Sequence, residues 1–145
     1  MKVAHILATK GHRVVTGHGD ATVLDAATLL SDAHVGILPI VDAANRVIGT
    51  LSERDIIQGV GTRGRAFLDV SVIHVMSRTF LTCECDDDVR DVMATITHAR
   101  TRHLPVVDER GVLVGIVSIG DVLKSILDTR DLEVRVLRDY YVAHH

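Results

Sequence analysis

The apolar positions of this chain form short runs and helical stripes, and their order is written twice. Val14-Val15-Thr16 and Phe80-Leu81-Thr82 read as short strands. Asp20-Ala21-Thr22 and Asp86-Asp87-Asp88 follow as acidic or capping starts to helices, favoured by free backbone N–H groups and the helix dipole. Val23, Ala26, Ala27 and Leu30 then recur at helical spacing, as do Val89, Val92, Met93 and Ile96. Gly36 to Val41 and Leu104 to Val107 are apolar strands, residues 42–46 and 108–111 are turns, and residues 47–51 and 112–117 are return strands. Ser52 and Ser118 open second helices. The predicted unit is β-α-β-β-α, and the fold class is α+β.

A shift of 66 residues aligns the two copies without a gap from Thr16 and Thr82 onward. Leu38-Pro39 falls on Leu104-Pro105, Val41-Asp42 on Val107-Asp108, and Gly49, Ser52 and Asp55 on Gly115, Ser118 and Asp121. One unit of about 50 to 60 residues is too small to bury its own sheet well, so the two are expected to pack together through their sheets. The expected division is 1–60 for the first repeat, 61–71 for a linker, 72–130 for the second repeat and 131–145 for a C-terminal helical extension. The Gly- and Arg-containing stretch 59–71 reads as a linker or exposed loop, and Val3 to Leu7 and Val72 to Met76 lead into the two units. Residues 121–141 read as one long helix, with Leu123, Ile126, Leu127, Val134, Leu137 and Tyr141 as an apolar stripe. That stripe either makes a subunit contact or covers its own domain.

Composition narrows the function classes. The 145 residues are 47% hydrophobic with mean hydropathy +0.26, enough for a filled core, yet no apolar run approaches the roughly 18 residues of a membrane span. The start lacks the pattern of a secretory signal, so a cytoplasmic protein is expected. A net charge of −3 and 3% aromatics, with no Trp, give neither the electrostatic footprint nor the stacking platforms of a nucleic-acid binder. No zincin motif, P-loop or nucleophile elbow occurs, and no catalytic residue is assigned.

The doubled Leu-Pro-x-Val-Asp followed by Gly-x-x-Ser-x-x-Asp resembles a tandem pair of CBS domains, the repeat named after cystathionine beta-synthase. The resemblance covers nearly the whole chain and is closest over Leu104 to Asp108 and Gly115 to Asp121. It implies two units joined through their sheets, two clefts related by a pseudo-twofold axis, and regulatory binding of an adenosine-containing ligand: AMP, ADP, ATP, NADH or S-adenosylmethionine. It also implies a homodimer, first strands that line the base pocket, and a basic residue before Leu-Pro that meets a phosphate.

The residues suit that chemistry. An ionised Asp55 or Asp121 has two acceptor oxygens for the hydroxyls of a ribose. Ser52 and Ser118 stand at helix N-termini, where a hydroxyl and free N–H groups favour a phosphate. Ser-x-x-Asp is equally close to a capping box, so the same Ser also serves as a helix cap. Thr16 and Thr82, with their neighbouring aliphatics, are candidates to hold the base. The copies differ in charge. The second half offers Arg102 and His103 before Leu104-Pro105, and Lys124 one turn past Asp121. The first half offers Arg54, with Gln58 in place of Lys124. The cleft of Ser118 and Asp121 is therefore expected to be the tighter one, with AMP favoured over ADP and ATP because few cations are present.

The expected function is regulatory sensing of energy or redox state, with no catalysis and with an unknown effector protein as the receiver. The alternative is a metal- or redox-responsive protein using Cys83 and Cys85, although no second paired motif completes four ligands. Gly59 to Gly64 spells Gly-x-Gly-x-x-Gly but lacks the strand before and the helix after that a dinucleotide loop needs. The terminal His144-His145 is either native or a tag remnant.

Overall fold

The computed structural model describes residues 1–144, so His145 of the terminal histidine pair lies outside the described residues. The chain runs α1 (Val3–Lys10), β1 (Gly17–His18), α2 (Val23–Ala33), β2 (Ile37–Val41), β3 (Val47–Ser52) and α3 (Glu53–Arg63). Two 3₁₀ turns follow, Arg65–Asp69 and Val72–His74. The second unit is α4 (Val89–Ala99), β4 (His103–Val107), β5 (Leu113–Ser118) and α5 (Ile119–His144). The fold is α+β with two repeated units.

Local chemistry sets the boundaries in matching places. Thr22 caps α2: its Oγ1 accepts from Asp25 N, and Asp25 Oδ2 accepts from Thr22 N, both at 3.1 Å. Asp88 caps α4 by accepting from Arg90 N at 2.8 Å. Both helices stop on a left-handed residue, His34 and Arg100, 66 positions apart. In the turn after β2, Asp42 Oδ1 accepts from Ala44 N and Arg46 N, both at 2.9 Å. Asp108 does the same after β4, with Arg110 N and Val112 N at 2.9 and 3.0 Å. The left-handed position of each turn is filled by Asn45 and Gly111.

The sheets are β1-β2-β3 and β4-β5, with β1 parallel to β2 and each hairpin antiparallel. They meet where Arg46 bridges Val112, its own repeat equivalent. Val47 N donates to Gly111 O at 3.1 Å and Leu113 N donates to Asn45 O at 2.9 Å. A shift of 66 turns one bond into the other, so the pseudo-twofold axis passes through this junction.

The first strands stand later than the sequence predicts. Residues 14–16 and 80–82 are not strands; pairing begins at Gly17 with Ile40 and at Cys83 with Val106. The preceding residues are held by the opposite unit instead. His12 Nδ1 lies 2.9 Å from Val114 O, and Ser77 and Thr50 exchange both backbone bonds at 2.8 and 3.0 Å. Each chain segment joins its own sheet only after leaving the other one.

The same exchange builds the cores. Val3, Ile6 and Leu7 of α1 are buried with Cys83, Val92, Ile96, Leu104 and Val117 of the second unit. Phe67, Val72 and Met76 are buried with Val23, Leu38, Ile40 and Leu51 of the first. Backbone bonds fix the crossings: Val3 N to Asp87 O and Val89 N to Met1 O on one side, Val72 N to Ala21 O and Val23 N to Val70 O on the other, at 2.8 to 3.0 Å. The repeated glycines allow this approach. A Cβ on Gly115 would stand 2.8 Å from Leu7, and one on Gly49 would stand 2.6 Å from Met76 and 2.9 Å from Ser77 O.

The stretch 59–71, read as a linker or exposed loop, is the end of α3 followed by a 3₁₀ turn, exposed over residues 61–66 but buried at Phe67. Its first glycines lie inside α3, and Phe67 is buried against Gly59, where a Cβ would stand 2.1 Å from the ring. The Gly-x-Gly-x-x-Gly pattern is therefore a helix end closed by Gly64 at φ 73, not a phosphate loop. At the other terminus, α5 covers the core only with its first turns, through Val122 and Ile126; residues 131–143 are exposed throughout. Among the described residues, no helix is long and apolar enough to cross a membrane.

Two substitutions test the exchange. Gly49→Ala is expected to cost about 1–3 kcal/mol of unfolding free energy through overpacking. Gly61→Ala, with open space around its Cβ inside α3, is expected to gain up to about 1 kcal/mol from helix propensity. Urea denaturation of both variants measures the contrast.

Candidate functional site

Both Ser-x-x-Asp sequences close a reciprocal capping box. Ser52 N donates to Asp55 Oδ2 at 2.9 Å and Asp55 N donates to Ser52 Oγ at 3.2 Å. Ser118 N donates to Asp121 Oδ2 at 2.9 Å and Asp121 N donates to Ser118 Oγ at 3.1 Å. The cap fixes each carboxylate at the start of α3 or α5, half-buried. One feature separates the two. Lys10, the last residue of α1, donates from Nζ to Asp121 Oδ2 at 2.6 Å and to Ile116 O at 3.0 Å. Among the described residues, no lysine or arginine forms an ion pair with Asp55.

Each carboxylate opens on a groove between a lead-in segment and the last helix of a unit. The Asp121 groove, about 410 Å³, is lined by His5, Ile6, Lys10, Lys124 and Asp128 among others. The Asp55 groove, about 660 Å³ and shallower, is lined by Gln58, Thr62, His74 and Val75. These are repeat equivalents: Lys124 matches Gln58, Asp128 matches Thr62, and His5 matches His74. A third space, about 250 Å³, lies between the units, where Ile37 and Thr50 face Phe80, Leu81, His103, Leu104 and Pro105.

The structure thus brings together Asp121, Lys124 and the unpredicted Lys10, and separately His103, Leu104, Pro105 and Phe80. It does not gather the remaining candidates. Thr16 is half-buried ahead of β1, Thr82 is exposed ahead of Cys83, and Arg54 and Arg102 are exposed. None of these four lines the three spaces. Arg102 contributes its carbonyl, which accepts from Ile119 N at 2.8 Å and helps start α5. Lys10 was legible only as an irregularity. The lead-ins align at an offset of 69, Leu7 with Met76, before the chain settles to 66. The three extra residues of the first copy lie between Leu7 and Thr16, and Lys10 is among them.

Charge and burial pull on these groups in opposite directions. Burial pushes the Asp121 carboxyl up, but the Lys10 hydrogen bond and charge, with the bonds from Ser118, outweigh it and hold the carboxyl below its ordinary value. His103 goes down, first through burial and then through the Lys10 charge, against an opposing pull from Asp121. Burial, reinforced by the charges of Asp87, Cys85 and Glu84, pushes the Cys83 thiol up to about 12, which suits a core filler rather than a reactive thiolate. Cys85 is also raised, first by its own desolvation.

These directions set a pH dependence. Both folded groups bind protons less readily than in the unfolded chain, so both contribute stability above their ordinary values and lose it on acidification. The urea midpoint is expected to fall as pH drops below 6.5, the ordinary His value, and again below 3.8 for Asp121. His103→Gln should flatten the first phase, and Lys10→Met should move the His103 NMR titration to higher pH. A His103 that titrates at or above 6.5 in the folded protein would contradict this geometry.

Comparison with known proteins places the chain. The family described as the CBS domain matches twice, over residues 3–61 and 72–128. A crystal structure of a CBS-domain containing protein from Agrobacterium tumefaciens is 36% identical, covering 86% of this chain and 98% of that one at a TM-score of 0.79. The CBS domain pair of protein MJ0100, solved in complex with 5′-methylthioadenosine and S-adenosyl-L-methionine, is 24% identical over 89% of this chain and 98% of that one, with a TM-score of 0.77. CBSX2 in complex with AMP is 23% identical over 83% and 92%, with a TM-score of 0.74. The last two likenesses carry the fold alone. The chain spans 77%, 57% and 60% of the lengths of three curated relatives. With both repeats matched and the paired fold shared, the chain belongs to the CBS-domain family.

Proposed function

We propose that the chain is a regulatory module that binds an adenosine-containing ligand, AMP before ADP, ATP, NADH or S-adenosylmethionine, and catalyses nothing itself. The observation that carries this reading is the Asp121 site. A carboxylate fixed by its own helix cap stands beside Lys10 and Lys124 in one groove, with His103 and apolar Phe80, Leu81 and Pro105 in the space between the units. In the groove the carboxylate suits ribose hydroxyls and the cations suit a phosphate, and the separate apolar space between the units suits a base. That a chain of the same fold, CBSX2, was solved with AMP supports the ligand class, and the MJ0100 complex keeps S-adenosylmethionine in the screen. Two or three cations at the site suit one phosphate better than three. Binding across the lead-in helix and the second unit would bias the angle between repeats, and so the surface shown to an effector.

The long α5 supports a second copy of this chain as its partner. Residues 131–143 make a helical projection of about 20 Å at 1.5 Å per residue whose apolar side chains are left in water. Its surface carries exposed Leu132, Val134, Val136, Leu137 and Val142, with Asp131, Glu133, Arg135, Arg138 and Asp139 interleaved. Mixed apolar and two-signed charge on one helix is self-complementary, as an isologous contact requires. Leu137→Asp is expected to convert a dimer to a monomer in sedimentation equilibrium without unfolding either CBS unit. A wild-type chain that sediments as a monomer refutes this contact.

The ligand reading is tested by thermal shift. AMP at about 100 times its Kd should add about 2.7 kcal/mol of stability, raising the Tm. Asp121→Asn, which keeps a capping oxygen but loses the charge, should remove most of that shift, and Asp55→Asn should remove less. No shift with any of the five compounds defeats the nucleotide reading, and a larger loss from Asp55→Asn reverses the ranking of the clefts.

A further inference from the structure

Lys10 has a role that the repeat does not supply. Its main-chain position is rigid. α1 is anchored through buried Val3, Ile6 and Leu7, and Gly11 closes it with φ 100, its N–H donating to Leu7 O at 2.7 Å. A lysine in the last helical turn is favoured by the dipole, and this one reaches the opposite unit. The acceptor Ile116 O is the repeat equivalent of Thr50 O, which in the first unit accepts from the backbone N–H of Ser77 at 2.8 Å. The longer α1 thus replaces a backbone donor with an ammonium, and the ammonium also meets Asp121. The shorter 3₁₀ turn Val72–His74 brings no such cation to Asp55.

We infer that Lys10 is the specificity-determining residue of the second cleft, selecting a phosphorylated ligand over the bare nucleoside by competing with ribose for Asp121. The inference rests on the proposed ligand class. Asp121 Oδ2 accepts from both Ser118 N and Lys10 Nζ. Oδ1 is open to one ribose hydroxyl, but a ribose that donates its second hydroxyl to Oδ2 must displace or share the Lys10 bond. A neutral nucleoside offers the displaced ammonium nothing in return. A phosphate restores its charge partner, and Lys124 in the same groove adds to the attraction. Asp128, also in the groove, opposes an anion, so losing either lysine would weaken phosphate binding, and Lys10 is the one that also bonds Asp121. Asp55 has no such gate, so the first cleft should discriminate less between nucleoside and nucleotide.

The test is calorimetric titration of the full chain with adenosine and with AMP, in an Asp55→Asn background that leaves the second cleft as the one under study. With Lys10 present, AMP should bind more tightly than adenosine. Lys10→Met should raise adenosine affinity about fivefold, as expected for loss of a partly exposed ion pair, and should weaken AMP, so that the AMP-to-adenosine ratio falls by about tenfold or more. Lys10→Arg should keep the preference for AMP. Where Lys10→Met loses the fold because Ile116 O is left unpaired, Lys10→Gln keeps a donor without the charge and carries the same expectation. A ratio that does not change, or two affinities that fall together, shows Lys10 to be a packing residue and overturns the inference while the ligand class stands. A parent chain that binds neither compound overturns the ligand class as well.

Discussion

Each unit finishes its core with a segment that precedes the other unit, and everything else depends on that exchange. Leu7 can reach the second core only because residue 115 has no Cβ, and Met76 can reach the first only because residue 49 has none. The two crossings carry matching backbone bonds, Val3 to Asp87 and Val72 to Ala21. Neither half buries its apolar face alone, which is how about 60 residues per unit become stable. The exchange also fixes where a ligand would act. The groove beside Asp121 lies between α1, which leads into the first unit, and α5, which ends the second. Both helices pack on the second core, so a molecule seated there touches that unit and the helix that leads into the first.

The helix cap and the proposed ligand role of Asp121 do not compete; the cap sets the carboxylate in place. In each unit the cap fixes the carboxylate through Oδ2, so the group needs no further ordering before it meets a partner. Lys10 bonds the same oxygen, and Oδ1 takes part in neither bond. The capping geometry is common to both halves, so it contributes preorganisation without selectivity. Selectivity has to come from what surrounds the cap, and there the halves differ by a lysine at 10 and by Lys124 in place of Gln58.

Much of this was legible in the sequence because it follows from short-range rules. The Asp42 and Asp108 turns, the Thr22 and Asp88 caps, and the hairpins β2-β3 and β4-β5 depend on residues a few positions apart. What escaped depends on contacts across the two units. Residues 14–16 and 80–82 have strand composition, yet pairing starts only at Gly17 and Cys83, after His12 and Ser77 have bonded to the opposite unit. Phe67 in a Gly- and Arg-containing stretch looked exposed because its partner is the bare Cα of Gly59. Lys10 escaped because its partners are more than 100 residues away; no local pattern announces a side chain that leaves its own repeat.

Duplication gives two equal scaffolds, and inequality has to enter where the scaffold tolerates change. The close approaches and turns do not tolerate it: Gly49 and Gly115, Leu38 and Leu104, and Asp42 and Asp108 are the same in both halves, while buried aliphatics trade only for other aliphatics, as Ala26 for Val92 and Ile40 for Val106. The lead-in does, because its helix can lengthen into solvent past Leu7 without disturbing the residues that are buried. Three added residues there keep the Leu7 contact, lengthen α1 and carry an ammonium to a carboxylate already held in place. The change alters the charge at one cleft and leaves the fold of both units intact, so chemical asymmetry costs little in a structure whose packing stays symmetric.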